Sequence, residues 1–298
     1  MKTLRTVTEL RDALAAERSA ARSIALVPTM GALHDGHLSL VRAARATHDV
    51  VVVSLFVNPT QFGEGADLVA YPRDEPRDTR LAEQAGADVL FAPGADEVYP
   101  DGFATSVRLR GPLVETLEGE HRGPAHFDGV TTVVTKLLNM VQPDAAFFGA
   151  KDAQQLRVVR RLVRDLNLPT AIVACPTVRE PDGLALSSRN ARLSQREREC
   201  ALGLSHALSE VAQGLAESRF EGRAEAESAG LDVLRAHRAE PEYFCIVEPD
   251  TMARAQQLSG DVLIVTAARV GAVRLIDNLP LTIDVPSQAT PEAQPCSA

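Results

Sequence analysis

Two histidines three positions apart, His34 and His37, are the residues of this sequence best suited to chemistry. They follow an apolar run at 23–27, which predicts a short buried strand, and they precede a run at 38–46, which predicts a helix with Asp35 as its N-cap. The start of a helix presents free backbone N–H groups and the positive end of a dipole, so it favours an anion. Imidazoles at the same place can donate hydrogen bonds to charge that develops on a phosphate. The arrangement predicts a nucleotide-phosphate site.

The turn between strand and helix contains two glycines. It reads Pro28-Thr29-Met30-Gly31-Ala32-Leu33-His34-Asp35-Gly36-His37. We expect Gly31 and Gly36 to let the backbone approach a ligand closely, because glycine has no Cβ. A histidine pair alone carries little information, and its place between a strand and a helix is what favours a nucleotide site over an ordinary turn.

A second polar loop follows the apolar run at 50–57, which is typical of a strand covered on both faces. The loop reads Asn58-Pro59-Thr60-Gln61-Phe62. In an open parallel sheet, ligands bind at the carboxyl ends of the strands, where this loop is expected to lie. The residues alone leave two interpretations of Asn58 and Gln61 open, ordinary turn residues or ligand contacts.

A third loop, Gly149-Ala150-Lys151-Asp152, follows a predicted strand at 145–148. A lysine at a strand end suits a triphosphate, because its ammonium group is a flexible point charge. Asp152 is either the N-cap of a predicted helix at 153–165, a contact of the phosphate site, or both.

A fourth polar segment, Ser187-Ser188-Arg189-Asn190, concentrates two hydroxyl groups and a guanidinium group. These groups are good hydrogen-bond donors to phosphate. On the residues alone, the run is equally typical of an ordinary loop.

Together these segments resemble the pantoate–beta-alanine ligase family and, more broadly, the nucleotidylyltransferase and class I aminoacyl-tRNA synthetase superfamily. The resemblance extends from about residue 20 to about residue 285. It implies ATP-dependent condensation of D-pantoate with beta-alanine to pantothenate through a pantoyl-adenylate intermediate, with release of AMP and pyrophosphate. It also implies Mg²⁺ bound to the phosphate oxygens and a homodimer.

The resemblance also assigns roles to residues. The catalytic residues that it implies are His34, His37 and Lys151. Contacts to the acid and amine substrates are implied for Asn58, Gln61, Arg122, His126 and Gln155. Contacts to ATP are implied for Met30, Gly31, Ala32, Leu33, His34, Asp35, Gly36, His37, Gly149, Ala150, Lys151, Asp152, Val178, Leu186, Ser187, Ser188 and Arg189. Asp78 falls where the family has an acidic residue near the metal and the phosphates.

Two positions depart from the family pattern. An extra residue, Gly123, separates Arg122 from the proline in the run that resembles the family's Arg-Pro-x-His-Phe flap, and Leu186 stands where many members have methionine. A glycine-rich surface loop is the alternative interpretation of Arg122 and His126. A solvated helix face is the alternative for Asp78.

The order of predicted elements indicates the fold. Strands alternate with helices of roughly 10–15 residues, which predicts an α/β fold with a Rossmann-like, doubly wound parallel sheet over residues 1–177. Helices followed by strands predict a second, smaller α+β C-terminal domain over 178–285, which would carry the Ser-Ser-Arg-Asn segment. The stretch 286–298, rich in Pro, Gln, Ser and Ala, is predicted to be a disordered tail.

Composition narrows the class of protein. The formal net charge of −9 argues against a nucleic-acid surface, and no apolar run approaches the ~20 residues of a membrane span. The first residues lack the apolar stretch of a signal peptide, and the four cysteines show no Cys-x-x-Cys spacing, which together predict free thiols in the cytoplasm. We expect small-molecule substrates as partners, with neither nucleic acid nor membrane.

Three other functions fit parts of the sequence. A nucleotidylyltransferase would share the histidine motif but would need more cationic groups for a phosphorylated acceptor at the Asn58–Gln61 loop. An RNA-linked synthetase or binding module would need a basic surface, which the acidic total does not favour. A non-enzymatic nucleotide sensor would not require two glutamines, a lysine and Ser-Ser-Arg in one cleft.

Overall fold

The first part of the chain forms a six-stranded parallel sheet. The computed structural model describes residues 1–62, 68, 69 and 71–284. The six strands are β1 (Lys2–Leu4), β2 (Ile24–Thr29), β3 (Val50–Leu55), β4 (Val89–Phe91), β5 (Ala145–Gly149) and β6 (Ala171–Cys175). Their order is β1-β4-β3-β2-β5-β6, and every neighbouring pair is parallel. From β2 the chain adds β3 and β4 on one side, and it then returns to add β5 and β6 on the other side of β2. Strands β3 and β5 therefore flank β2.

Helices cover both faces of this sheet. They are α1 (Val7–Ser19), α2 (Asp35–Thr47), α3 (Glu75–Ala85), α4 (Ala95–Val98), α5 (Pro112–Glu115), α6 (Glu118–Arg122), α7 (Pro124–Val141) and α8 (Ala153–Asp165). Apolar side chains of α1, α7 and α8 form one core with the sheet, and those of α2 and α3 form another on the opposite face. Because both faces are covered, residues 24–27 and 50–53 are almost fully buried.

The C-terminal part is a small α+β unit. Helices α9 (Gln195–Ala216) and α10 (Arg223–Ala236) are followed by an antiparallel sheet of β7 (Glu240–Val247), β8 (Gly260–Val270) and β9 (Val273–Ile283). Helix α9 begins with the capping box that its sequence predicts, in which Ser194 and Glu197 each bind the other's backbone N–H. The predicted α/β fold with a smaller C-terminal α+β unit is confirmed. The boundary at residue 177 stays a prediction.

One predicted helix start is wrong. The N-cap of α2 is His34, and Asp35 is already the first helical residue. The His34 backbone has extended dihedral angles, with φ of −136° and ψ of 172°, so the chain turns into the helix one residue earlier than expected. The predicted tail at 286–298 and Cys296 lie outside the described residues. None of the described helices combines the length and apolar character that a bilayer span requires.

The two parts of the chain share an interface of apolar and ionic contacts. Leu117 and Ala153 of the first part pack with side chains of β7 and β8. Beside them the Glu118 carboxylate accepts two hydrogen bonds from Arg274, both 2.7 Å, and one of 2.8 Å from the Tyr243 hydroxyl. Burial alone would raise the pKa of Glu118, but its hydrogen bonds and proximity to Arg274 lower it to about 2.

Candidate active site

Four polar segments meet at the carboxyl end of the parallel sheet. Strand β2 lies between β3 and β5, so the loops that follow these three strands are neighbours in space. They enclose two adjoining cavities of about 480 and 230 Å³. Residues that line both cavities are Met30, Gln61, Lys151, Asp152, Gln155, Ser187 and Arg189. The two cavities are therefore parts of one cleft.

The structure brings most of the expected site residues to this cleft. The smaller cavity also contacts His34, Gly36, His37, Asn58, Gly149, Val178, Leu186 and Ser188. Arg122 and His126 line the larger one. Gly31, Ala32, Leu33, Asp35, Ala150 and Asp78 are not among the lining residues of either cavity. Most of these six belong to the turns that shape the cleft, so their expected ligand contacts stay predictions.

The turn after β2 is held by a buried carboxylate. Gly31 and Ala32 both have positive φ angles, of 85° and 51°. The Asp78 side chain is 1% exposed, and its two oxygens accept hydrogen bonds from the N–H groups of Ala32 and Leu33, each 2.8 Å long. The solvated helix face considered for Asp78 is therefore wrong. Its carboxylate holds a turn that would otherwise leave two N–H groups unpaired, one buried and one partly buried.

The two imidazoles lie against each other at the start of α2. The ring centroids of His34 and His37 are 4.1 Å apart. Burial, followed by the nearby Lys151 charge, lowers the pKa of His34 to about 4, and burial, followed by His34 and Lys151, lowers that of His37 to about 3. Both rings are therefore neutral at pH 7. Within the described chain, the Nδ1 atom of each ring is buried without a hydrogen-bond partner.

Gly36 makes room for the first of these rings. A Cβ at this position would lie 2.9 Å from Cε1 and 3.0 Å from Nδ1 of His34. The glycine of the His-x-Gly-His motif therefore accommodates the His34 ring in this position, which a larger residue would displace, in addition to any close approach of a ligand.

The loop after β3 positions an amide. Asn58 is 1% exposed, and its Nδ2 donates to Gln61 Oε1 and to the carbonyl of Gly129, both at 3.1 Å. The Tyr99 hydroxyl donates to Asn58 Oδ1 at 2.8 Å. Asn58 therefore fixes the Gln61 side chain, which lines both cavities.

Helix α7 packs directly on this loop. A Cβ added to Gly129 would lie 2.4 Å from the carbonyl oxygen of Thr60 and 2.7 Å from the amide nitrogen of Gln61. Only glycine permits this approach of two backbones. Val130, Val133 and Val134 of the same helix line the smaller cavity beside Gln61.

The Lys151 turn is held from the C-terminal sheet. Asn278 of β9 donates to the carbonyls of Ala150 and Lys151, at 3.0 and 2.7 Å. Asp152 is the N-cap of α8, but its side chain makes no capping hydrogen bond. Its carboxylate instead lines the cleft.

The Ser-Ser-Arg segment closes the cleft on the other side. Ser188–Arg192 is a 3₁₀ helix capped by Ser187, whose side chain accepts the Arg189 N–H at 3.3 Å. Tyr71, to which the sequence assigned no role, lines the smaller cavity together with Ser188. The pattern Tyr-Pro-Arg before α3 was the available signal.

Arg122 and His126 lie in helices, so the alternative of a glycine-rich surface loop is wrong. Arg122 ends α6, His126 lies in the first turn of α7, and Gly123 joins the two helices with a φ of 80°. The extra glycine therefore supplies the positive φ angle with which the chain passes from α6 to α7. The His126 Nδ1 lies 2.9 Å from the Gln61 carbonyl. Burial, followed by the neighbouring Arg122, lowers the pKa of His126 to about 4.

Comparison with known families agrees with this geometry. The model of the pantoate-beta-alanine ligase family matches residues 2–280. The chain belongs to that family. This family carries out the ATP-dependent condensation of D-pantoate with beta-alanine, and the predictions of family, fold class and reaction are confirmed.

Individual relatives match over nearly their full length. The pantothenate synthetase of Moorella thermoacetica is 48% identical over 284 residues, which are 95% of this chain and 100% of that protein. The enzyme of Chelativorans sp. is 52% identical over 280 residues, with 93% and 96% covered.

Two solved structures share the whole architecture. Pantothenate synthetase from Thermus thermophilus superposes with a TM-score of 0.88 at 49% identity, covering 94% of this chain and 99% of that one. The ligase of Francisella tularensis, solved in complex with beta-gamma ATP and beta-alanine, gives 0.75 at 34% identity, with 94% and 97% covered.

Proposed function

We propose that this cleft carries out both halves of the condensation with hydrogen-bond donors and a lysine, without a protein nucleophile. A carboxylate and an amine do not condense at pH 7, because the carboxylate has no usable leaving group. In the first half, a carboxylate oxygen of pantoate attacks the α-phosphorus of ATP, and the bond to pyrophosphate breaks. In the second, the amine of beta-alanine attacks the acyl carbon, loses a proton, and AMP leaves. Catalysis of this kind is positioning and electrostatic stabilisation.

The phosphate side of the cleft supplies the donors for the first half. The observation that carries the proposal is the pair of buried, unpaired imidazole nitrogens of His34 and His37 beside Lys151. Neutral imidazoles donate directional hydrogen bonds to the phosphate, and Lys151 adds a positive charge. Ser187, Ser188 and Arg189 would hold the departing pyrophosphate.

The acid side of the cleft suits a branched hydroxy acid. Gln61 and Gln155 present amides that bind hydroxyl and carboxylate groups without adding charge. Val130, Val133 and Val134 give the same cavity an apolar wall. We place D-pantoate here, with Asn58 orienting Gln61. Arg122 and His126 line the adjoining larger cavity, from which beta-alanine would reach the adenylate.

Mg²⁺ fits this cleft as a companion of the triphosphate. The described residues hold no group of three His, Cys, Asp or Glu side chains arranged for a metal ion. At nucleotide sites Mg²⁺ is held by one or two carboxylates together with phosphates and water, and Asp152 is a carboxylate that lines the cleft. Bound Mg²⁺ would neutralise phosphate charge. The metal role implied for Asp78 stays a prediction. Both of its oxygens already accept hydrogen bonds from backbone N–H groups, which favours Asp152 as the carboxylate that faces the metal.

We further propose a homodimer that works in the cytoplasm. Both statements come from the family resemblance and from the cysteine pattern. Light scattering on the purified protein tests the first, and localisation of a tagged copy in its host tests the second.

Pantoate-dependent exchange of labelled pyrophosphate into ATP tests the function. We expect exchange with ATP, Mg²⁺ and D-pantoate, and pantothenate formation when beta-alanine is added. Omission of pantoate is the control. A nucleotidylyltransferase would exchange with a phosphorylated acceptor instead, and a nucleotide sensor would bind ATP without exchange. Either result would contradict the proposal.

A further inference from the structure

A chain of buried polar contacts runs from the C-terminal sheet to the Lys151 turn. Asn278 is 5% exposed, and its amide Nδ2 donates to two consecutive carbonyls, those of Ala150 and Lys151. These carbonyls follow the last residue of β5, so Asn278 fixes the direction in which the backbone leaves the strand. The direction of the Lys151 side chain depends on that backbone.

Asn278 is itself held by an ion pair. Its own N–H donates to Asp277 Oδ1 at 2.8 Å. The guanidinium of Arg179 binds both oxygens of Asp277, at 2.6 and 2.9 Å, and also donates to the Asn278 carbonyl at 3.2 Å. Asp277 is 3% exposed, so the carboxylate of this bidentate pair is buried, while the Arg179 side chain is 28% exposed.

The other end of this chain reaches the Ser-Ser-Arg segment. Arg179 pairs with Ala185 in an isolated antiparallel bridge and donates to the Gly183 carbonyl at 3.0 Å. Leu186, the residue before Ser187, donates its N–H to the carbonyl of Val178, the residue before Arg179, at 3.0 Å. The same three side chains are therefore connected to both phosphate-facing segments, one from β5 and one from the C-terminal part.

We infer that Arg179, Asp277 and Asn278 form a positioning unit that sets the Lys151 turn and the Ser187–Arg189 segment at a fixed separation, matched to one triphosphate. The inference rests on the proposed function of Lys151. None of the three is a catalytic residue. Asn278 acts through the carbonyls of Ala150 and Lys151, while Asp277 and Arg179 act by holding Asn278. Misplacement of a catalytic group by about 1 Å is enough to cost on the order of a hundredfold in rate.

The side-chain amide of Asn278 is the only group of the three that donates hydrogen bonds to the Ala150 and Lys151 carbonyls. Two carbonyl oxygens need two N–H donors, and a carboxylate of the same shape offers only acceptors. The isosteric change Asn278→Asp therefore keeps the packing and replaces two attractions with repulsions. A matched control is Thr266→Val. Thr266 is 0% exposed and donates to the Tyr243 carbonyl at 3.0 Å, so it is also a buried side chain bound to backbone, but within the C-terminal sheet.

A double-mutant cycle between Asn278→Asp and Lys151→Ala tests the inference. We expect Asn278→Asp to slow pyrophosphate exchange by about 10- to 100-fold. In the Lys151→Ala background the same change should cost less than about threefold, because residues that act as a unit are not additive. Amide formation from preformed pantoyl adenylate should stay within about threefold of the unmodified enzyme, and Thr266→Val should leave exchange unchanged.

Calorimetric titration with MgATP repeats the cycle without turnover. If the unmodified enzyme shows no pantoate-dependent exchange, the proposed function fails, and the ATP affinities of the four proteins still decide the positioning role. Independent losses that multiply in the double variant would overturn the inference. Equal losses in both half-reactions together with a lower melting temperature would also overturn it, since they indicate a merely structural role. Asn278→Ala, which adds no charge, replaces Asn278→Asp if the latter does not fold.

Discussion

The histidines of this site act as neutral groups. Because burial lowers the pKa of His34 to about 4 and that of His37 to about 3, each ring carries one N–H and one lone pair at neutral pH. In the proposed function, their contribution to a phosphate is therefore direction, and Lys151 and Arg189 would supply the full positive charge. Variants of one histidine and of the lysine test this division separately.

His37→Ala should separate the two half-reactions. Charge builds at the α-phosphate and on the leaving pyrophosphate only during adenylation, so the variant should be slower by roughly two to three decades with ATP, pantoate and beta-alanine. With preformed pantoyl adenylate it should make pantothenate at a near-normal single-turnover rate. Equal losses in the two assays would contradict this assignment.

Lys151→Ala should lose turnover and keep stability. The ammonium group lies in a polar cleft and contributes little to the core, whereas one charge contact to the transition state is worth on the order of 3 kcal/mol, about two decades in pyrophosphate exchange. Lys136→Ala is the matched control, because Lys136 lines neither cavity. Its ammonium group lies over the Phe103 ring instead, 4.5 Å from the ring centroid. Near-normal exchange by a folded Lys151→Ala protein would remove Lys151 from the site.

The turn between β2 and α2 depends on a side chain from another helix. Asp78 in α3 binds two N–H groups in a segment where Gly31 and Ala32 have positive φ angles. The shape of this turn therefore depends on a contact between distant segments, although the histidine motif itself is local.

Asp78→Asn tests whether this carboxylate holds the turn or a metal. The amide can accept only one of the two hydrogen bonds, so the free energy of unfolding should fall by roughly 1–3 kcal/mol and the KM for ATP should rise. Added Mg²⁺ should not restore activity. Asp74→Asn is the control, because Asp74 accepts the Arg77 N–H at the exposed start of the same helix. Recovery at high Mg²⁺ would support metal ligation instead.

Local pattern predicted the regular elements well. Helix α8 begins at Ala153 and ends at Asp165, as predicted. The apolar residues at 130, 133, 134, 137, 138 and 141, whose spacing predicts a helix with a buried stripe, are buried in α7. The apolar runs at 262–266 and 273–277 predict strands, and the structure extends them to the whole of β8 and β9, which pair with each other along their full length. At the end of β9 exposed and less exposed side chains alternate, so the sequence there has no continuous apolar run.

Contacts between distant segments are what the sequence could not predict. Asp277 and Asn278 look like polar residues at the end of an apolar strand, and nothing local indicates that they bind Arg179 and the Lys151 turn. The same holds for the pairing of Glu118 with Arg274, which are 156 positions apart. The place of the histidine, glutamine and lysine motifs at the carboxyl end of the sheet was predictable because each follows a strand, whereas the serine segment was assigned to the cleft only by the family resemblance.

The buried histidines also contribute to the response of the whole protein to acid. The pKa values of His37 and His126 are about 3 and about 4, against about 6.5 in an unfolded chain. Between these values the unfolded chain binds more protons, so the free energy of unfolding should fall as the pH drops from about 6.5 to about 4. Glu118, with a pKa of about 2, adds its own loss only below about 4.5, where carboxylates protonate in the unfolded chain.

Urea unfolding at about pH 7 and about pH 5 measures this effect. We expect a loss on the order of 2 kcal/mol from each of His37 and His126. His126→Gln should reduce the pH dependence of the free energy of unfolding, while the same change at the exposed His206 should serve as the control. An unchanged slope in His126→Gln would contradict the assignment.

The contact of Gly129 with the Thr60–Gln61 backbone limits how this enzyme can be redesigned. The α7 wall of the smaller cavity rests on main-chain atoms there, which no substitution can shorten, and any side chain at position 129 would push helix α7 outward. With the acid substrate placed in this cavity as proposed, a larger acid would have to be accommodated by shortening Val130, Val133 or Val134, which line it. The volume of the cavity is adjustable in steps of a methyl group, while the position of the wall is not.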